Sequence, residues 1–308
     1  MDEAPLIGTR FALYLALSAQ FGLSAFSLYA LEGSQRIDAV RVRPWLLGCC
    51  GVALLASIAS LILLASDLAG AAPWPIDQAA TTSLLTDSAF GVAWQIRVAA
   101  LALIAAIALR GAARSSAAGI IACASGVSLG TLAWAGHGAM DQGASGWVHL
   151  GADILHLLAA GVWIGALLAL TLLVVRRAAT IDAAHVLLTH NALRRFGTVG
   201  TGVVAMIVLT GLINSRFLVG VSGIFELPST HYGQLLLAKL GLFTAMLGLA
   251  SLNRFVFTPS LQKSISLGNS RAALTALRYS LAIEATAVLV ILGLVAWLGT
   301  LEPPAVAM

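Results

Sequence analysis

Apolar residues fill eight uninterrupted stretches of this chain, near 6–31, 45–66, 89–109, 117–137, 147–175, 196–219, 233–257 and 276–300, with short polar connections between them. At about 1.5 Å rise per residue, a helix of such length crosses a hydrocarbon layer roughly 30 Å thick. A backbone in lipid must satisfy its hydrogen bonds within each segment, and the abundance of Ala, Leu and Gly favours helix over strand. The pattern predicts an all-α, polytopic integral membrane helix bundle of about eight transmembrane helices. Residues 1–308 form a single membrane domain, with a four-helix part over about 1–140 and a second part over about 147–300. Small residues such as Gly197, Gly200, Thr201 and Gly202, or Gly241 and Gly248, mark faces expected to sit close to a neighbouring helix.

Charge adds an orientation. Arg36, Arg41 and Arg43 follow the first span, Arg110 and Arg114 the third, Arg176, Arg177, Arg194 and Arg195 the fifth, and Arg254, Lys263, Arg271 and Arg278 the seventh. The even connections carry Asp67, Asp77 and Asp87, then Asp141, then Glu226, and no Lys or Arg. Positive charge is retained on the cytoplasmic side, so the odd connections are cytoplasmic and both termini lie outside, N-out and C-out. Asp2 and Glu3 stand where a signal peptide carries basic residues, so the first apolar run is expected to be a span.

Composition narrows the class. With 59% hydrophobic residues, 10% charged residues and a mean hydropathy of +0.95, little chain remains for a soluble domain. The net charge of +4 follows from the loop bias and implies no nucleic-acid partner; the partner that the apolar composition implies is the lipid bilayer. No P-loop or dinucleotide fingerprint is present, so no nucleotide is expected, and no catalytic constellation points to an enzyme. Cys49, Cys50 and Cys123 fall within or at the ends of spans and offer no outward-facing disulfide.

Function is therefore read from polar groups inside the membrane, each costing about 2.5–3.5 kcal/mol on insertion scales. Arg97, Asp153, His156 and Lys239 would all lie roughly 9–14 Å below the outer surface, while Glu284 approaches from the cytoplasmic side. His149, Asp153 and His156 follow offsets of four and three and so share one helix face, with His137 and Met140 just above. Imidazole and carboxylate suit a divalent transition metal, and an added thioether points to copper. The candidate metal ligands are His137, His149, Asp153, His156 and Met140. Arg97, Lys239, Glu284 and His231 are accessory candidates: Arg97 and Lys239 as partners of Asp153, Glu284 for ion or proton coupling, and His231 as a further member of the outer cluster. Met206, Met246, Cys49 and Cys123 read as packing residues. His185 and His190 read as solvated residues of a cytoplasmic loop.

The Gly136-His137-Gly138-Ala139 turn, the Asp153-x-x-His156 pair followed by Trp163-Ile164-Gly165, and the intramembrane Arg97 resemble the copper resistance protein D (CopD/PcoD) family of bacterial inner membranes. Further along, Arg195-Phe196, Thr210-Gly211 with Asn214, Tyr232-Gly233-Gln234-Leu235-Leu236 with Lys239, and Asn253-Arg254 are similar to the C-terminal region of that family, here about 190–298. The resemblance implies a role in copper homeostasis, with copper, as Cu(I) or Cu(II), moved across the inner membrane from the periplasm beside a separate periplasmic CopC-like copper-binding protein. Two other readings remain: a b-type haem electron-transfer protein, and a copper-binding assembly partner that transports nothing. A haem would need axial ligands from opposite sides, whereas His149 and His156 lie on one helix.

Overall fold

The structure, a computed structural model, describes residues 3–31, 42–110, 115–136, 143–175, 183–266 and 271–304. It is helical, with no strand among the described residues. The elements are α1 (Ala4–Tyr29), α2 (Val42–Leu68), α3 (Gln78–Thr86), α4 (Ala89–Leu109), α5 (Ser115–Gly130), a 3₁₀ turn (Thr131–Ala135), α6 (Gly143–Val174), α7 (Ala183–Leu218), α8 (His231–Leu252), a π-helical turn (Asn253–Phe257), α9 (Thr258–Ser266) and α10 (Arg271–Leu298). Among the described residues eight helices are long and apolar enough to cross a membrane, and the seventh runs from His231 to Lys263 through the π turn.

Two differences from the sequence reading stand out. The helix of the sixth span begins at residue 183, not near 196, so His185 and His190 are not solvated loop residues. His190 is buried, and His185 Nε2 hydrogen-bonds the Leu173 carbonyl at 2.8 Å, closing the end of α6. The connection between the second and third spans also contains α3, N-capped by Asp77, whose carboxylate accepts from Ala80 N at 3.0 Å.

All described contacts between bundle ends agree on an alternating path. At the proximal end, where α1 begins, Arg10 donates to the carbonyls of Ala135 and Gly299, Thr300 donates to Glu3, and His231 packs edge-on against Trp297. At the distal end Arg43 donates to Leu109 O at 3.0 Å, and Arg278 to Val174 O at 2.7 Å. Each of these arginines meets carbonyls that a helix C-terminus leaves without an intrahelical partner, where a cation also faces the negative end of the helix dipole.

α1 organises the interior. Its Leu13 and Leu17 join a cluster with Ala53, Leu101, Ile104 and Leu129, while its Leu23 and Phe26 join another with Leu167, Leu170, Leu277 and Leu281. α1 is more enclosed by protein than α2 and less apolar. A helix surrounded by protein needs less apolar surface than one facing lipid, so α1 carries Ser18, Gln20, Ser24 and Ser27, all buried. Ser24 and Ser27 return their hydroxyl protons to carbonyls of their own helix.

The closest helix approach uses different glycines from those singled out by sequence. A Cβ on Gly22 would overlap the backbone of Gly161 and Gly165 across α1 and α6, whereas Gly202, Gly241 and Gly248 face open space. Local clustering of small residues does not distinguish a helix contact from a lipid-facing surface.

Candidate functional site

The polar face predicted on α6 docks onto α7. His149 is buried and stacks on Phe217, with ring centroids 4.6 Å apart and planes within 4°. Asp153 accepts from Asn214 Nδ2 at 3.3 Å, and His156 Nδ1 lies 2.9 Å from Thr210 Oγ1. Descending α6 from 149 to 153 to 156 matches climbing α7 from 217 to 214 to 210, the register of two antiparallel helices whose exposed rows are three and four residues apart. Gly211 faces the same ring: a Cβ there would stand 3.5 Å from His156 Cε1, in ordinary van der Waals contact.

This network sets which nitrogen of His156 is available. The Thr210 hydroxyl carries a single proton, directed to the Met206 carbonyl at 2.6 Å. With the proton so directed, its oxygen can accept from Nδ1–H, and in that tautomer of the neutral ring Nε2 holds the lone pair. Asn214 Oδ1 is buried with no hydrogen-bond partner among the described residues, which leaves an acceptor beside Asp153.

The cationic candidates occupy two positions. Lys239 of α8 is half-buried and exerts its charge on both Asp153 and His156. The direct partner of Asp153 is nonetheless the Asn214 amide, not an ion pair with Lys239 or Arg97. Arg97 is fully buried and donates from Nε to Thr131 Oγ1 at 2.8 Å, which pins the 3₁₀ turn before Gly136. Its Nη1 finds no partner among the described residues. Tyr14 of α1 lies within electrostatic reach of Arg97, Arg10 and Asp153, and so joins the two groups.

His137 and Met140 lie outside the described residues. Gly136, the last residue described before them, is adjacent to the cluster: a Cβ there would lie 3.8 Å from Asp153 Oδ2. His231 is exposed and packs edge-on against Trp297. Among the described residues no three His, Cys, Asp or Glu side chains converge as a metal site. Sequence reasoning missed Arg10, Tyr14 and Phe217. Arg10 carried a signal, a cation two turns into an apolar span; Tyr14 and Phe217 carried none that separates them from ordinary core aromatics.

Glu284 stands apart from this cluster. It is buried, accepts from the Asn253 amide, and lines a cavity of about 290 Å³ between α6, α7, α8 and α10. Of the two intramembrane methionines, Met206 is 37% exposed on the outside of α7 and Met246 belongs to the main core cluster.

Comparison with known sequences decides the family. Residues 1–147 match the copper resistance protein D-like N-terminal domain, and residues 190–298 match copper resistance protein D. Over 98% of both chains the sequence is 41% identical to copper resistance protein D of Pseudomonas syringae pv. tomato. The chain belongs to the copper resistance protein D family. It is also 29% identical to the copper transport protein CutJ of Bacillus subtilis (strain 168), over 79% of this chain and 45% of CutJ. With the inner membrane protein YebZ of Escherichia coli (strain K12) it shares 30% identity, over 56% of this chain and 55% of YebZ. No solved structure matches the chain. Family membership and eight apolar helices together make this a multi-pass membrane protein of copper homeostasis.

Proposed function

We propose that the proximal end faces the periplasm of a bacterial inner membrane, both termini outside, and that copper enters there through Asp153 and His156. The observation that carries this reading is the docking of Asp153 and His156 onto Asn214 and Thr210, which presents Nε2 of His156 as a lone-pair donor beside a carboxylate. His137, His149 and Met140 complete the set, His137 and Met140 following Gly136 directly in the chain. The donor of the copper is a separate periplasmic copper-binding protein of the CopC kind.

Lys239 takes part as a resident counter-charge. While the site is empty its charge acts on Asp153 at a distance, and it opposes the charge of an arriving copper ion, which keeps affinity low enough for release. No nucleotide motif is present, so movement follows the copper gradient, the membrane potential or an exchanged proton.

Copper binding to the purified protein, measured by competition with a chromophoric chelator, tests the site. Asp153→Asn and His156→Ala should each weaken binding by about 10–100-fold. Unchanged affinity in both variants would remove these residues from the site. An absorption spectrum taken on the same sample would reveal a Soret band if the chain were instead a haem protein.

A further inference from the structure

Polar groups without partners gather at a second place in the molecule, in the distal half. Glu284 of α10 is 1% exposed, and its described hydrogen-bond partner is the amide of Asn253. Around that pair, Asn253 Oδ1 and Trp163 Nε1 are buried and have no hydrogen-bond partner among the described residues. Ser280, also buried, lies one turn before Glu284 on the same helix, with its hydroxyl close enough to act on that carboxyl. Trp163, Asn253 and Glu284 all line the cavity of about 290 Å³.

Each of these atoms would cost about 1–3 kcal/mol if left dry. A cavity of this size with several polar partners has room for water. An ionised carboxylate within a membrane needs a counter-charge or hydration. Arg254 also lines the cavity, and its guanidinium is engaged by two other lining residues, donating to Thr201 and lying 5.3 Å over the Phe255 ring, while the described hydrogen bond to Glu284 comes from Asn253. Arg278, six residues before Glu284 on α10, is held by the Val174 carbonyl. Backbone geometry adds a second mark on the same spot. Asn253 opens the π-helical turn that interrupts the seventh span, and Thr258 Oγ1 returns to the Asn253 carbonyl at 2.7 Å. Such turns recur at functional sites because they re-aim a side chain from a helix.

We propose that Glu284, with Asn253, Ser280 and Trp163, forms a hydrated proton-binding site in the distal half, separate from the copper column. The step is a reversible transfer. A cavity hydronium gives its proton to a carboxylate oxygen of Glu284, forming an O–H bond there and leaving neutral water, with no change of oxidation state. Asn253 holds the carboxyl in both forms, its Nδ2 donating to one oxygen and its Oδ1 free to accept from the protonated one. The use of this proton to drive copper rests on the function proposed above; the proton site itself does not.

Infrared difference spectroscopy on the copper-free protein in lipid nanodiscs tests it. A carbonyl stretch of a protonated carboxyl should appear on moving from mildly alkaline to mildly acidic buffer, and that component should be missing in Glu284→Gln. Asn253→Ala, which keeps the carboxyl and loses its partner, should shift the frequency and the midpoint of the same component. A wild-type difference spectrum identical to that of Glu284→Gln, or a Glu284 band that does not change with pH, would overturn the proposal. Because no copper is present, loss of this band and loss of copper binding are separate results.

Discussion

The proximal column and the distal cavity use similar side chains, yet one is closed and the other open. In the column, each polar residue of α6 meets a named residue of α7 in a single antiparallel register. Around Glu284, the Asn253 amide bonds the carboxyl, while Asn253 Oδ1 and Trp163 Nε1 are left over beside a cavity. Pairing across two helices holds a ring in place, which a metal ligand requires. A partly satisfied cluster next to open volume admits water, which a proton requires. The difference supports the two tasks proposed for the two halves of the membrane.

The largest expected effect comes from removing the scaffold that both regions share. Gly165→Leu would drive a side chain into the backbone of Gly22 and separate α1 from α6. Overpacking of this kind costs about 1–3 kcal/mol or more, so the variant should lose monodisperse yield and melt lower in detergent. Normal melting in that variant would mean that the two regions do not depend on the α1–α6 contact.

Thr210→Val tests the closed region alone. It preserves shape but removes the acceptor of His156 Nδ1–H, and copper affinity should fall by roughly tenfold or more while thermal stability stays near wild type. Equal affinity would show that the Thr210 hydroxyl does not set the ring. Lys239→Met sharpens the same point in the opposite direction. Without the competing cation, copper should bind about tenfold more tightly, a difference of about 1.4 kcal/mol, and dissociate more slowly in stopped-flow exchange. Weaker binding in that variant would make Lys239 a support of the site instead of a competitor.

The smallest effect is expected at Gly248, where an added Cβ meets nothing. Gly248→Ala should raise stability by about 0.5–1 kcal/mol by restricting the unfolded chain, with copper binding unchanged. A destabilised variant would place an unseen neighbour against that face.

How much of this was legible in the chain follows from where the partners lie. His149, Asp153 and His156 sit within eight residues, so helical periodicity alone put them on one face. Their partners Phe217, Asn214 and Thr210 are more than fifty residues away, and only the packing of α6 on α7 selects them. The eight spans were readable because hydropathy over about twenty residues is a strong signal. The first thirteen residues of α7 were not, because a helix that extends past the apolar layer becomes polar while its hydrogen bonds continue. Glycines misled for a related reason: Gly22 and Gly165 pack tightly and Gly248 faces outward, yet the residues are identical in the sequence. Glu284 was visible as an intramembrane carboxyl, whereas its pairing with Asn253 depends on a π turn that leaves no mark in the hydrophobic pattern.

The most direct measurement is copper uptake into sealed proteoliposomes, comparing the wild-type protein with the Asp153→Asn/His156→Ala double variant at equal, verified incorporation. The account predicts copper-dependent filling by the wild type and a rate at least tenfold lower in the variant, with both proteins melting alike. Equal uptake by the two would contradict it, because copper would then cross by a path that avoids the column, and so would a wild type that binds copper at these residues but never fills the vesicles.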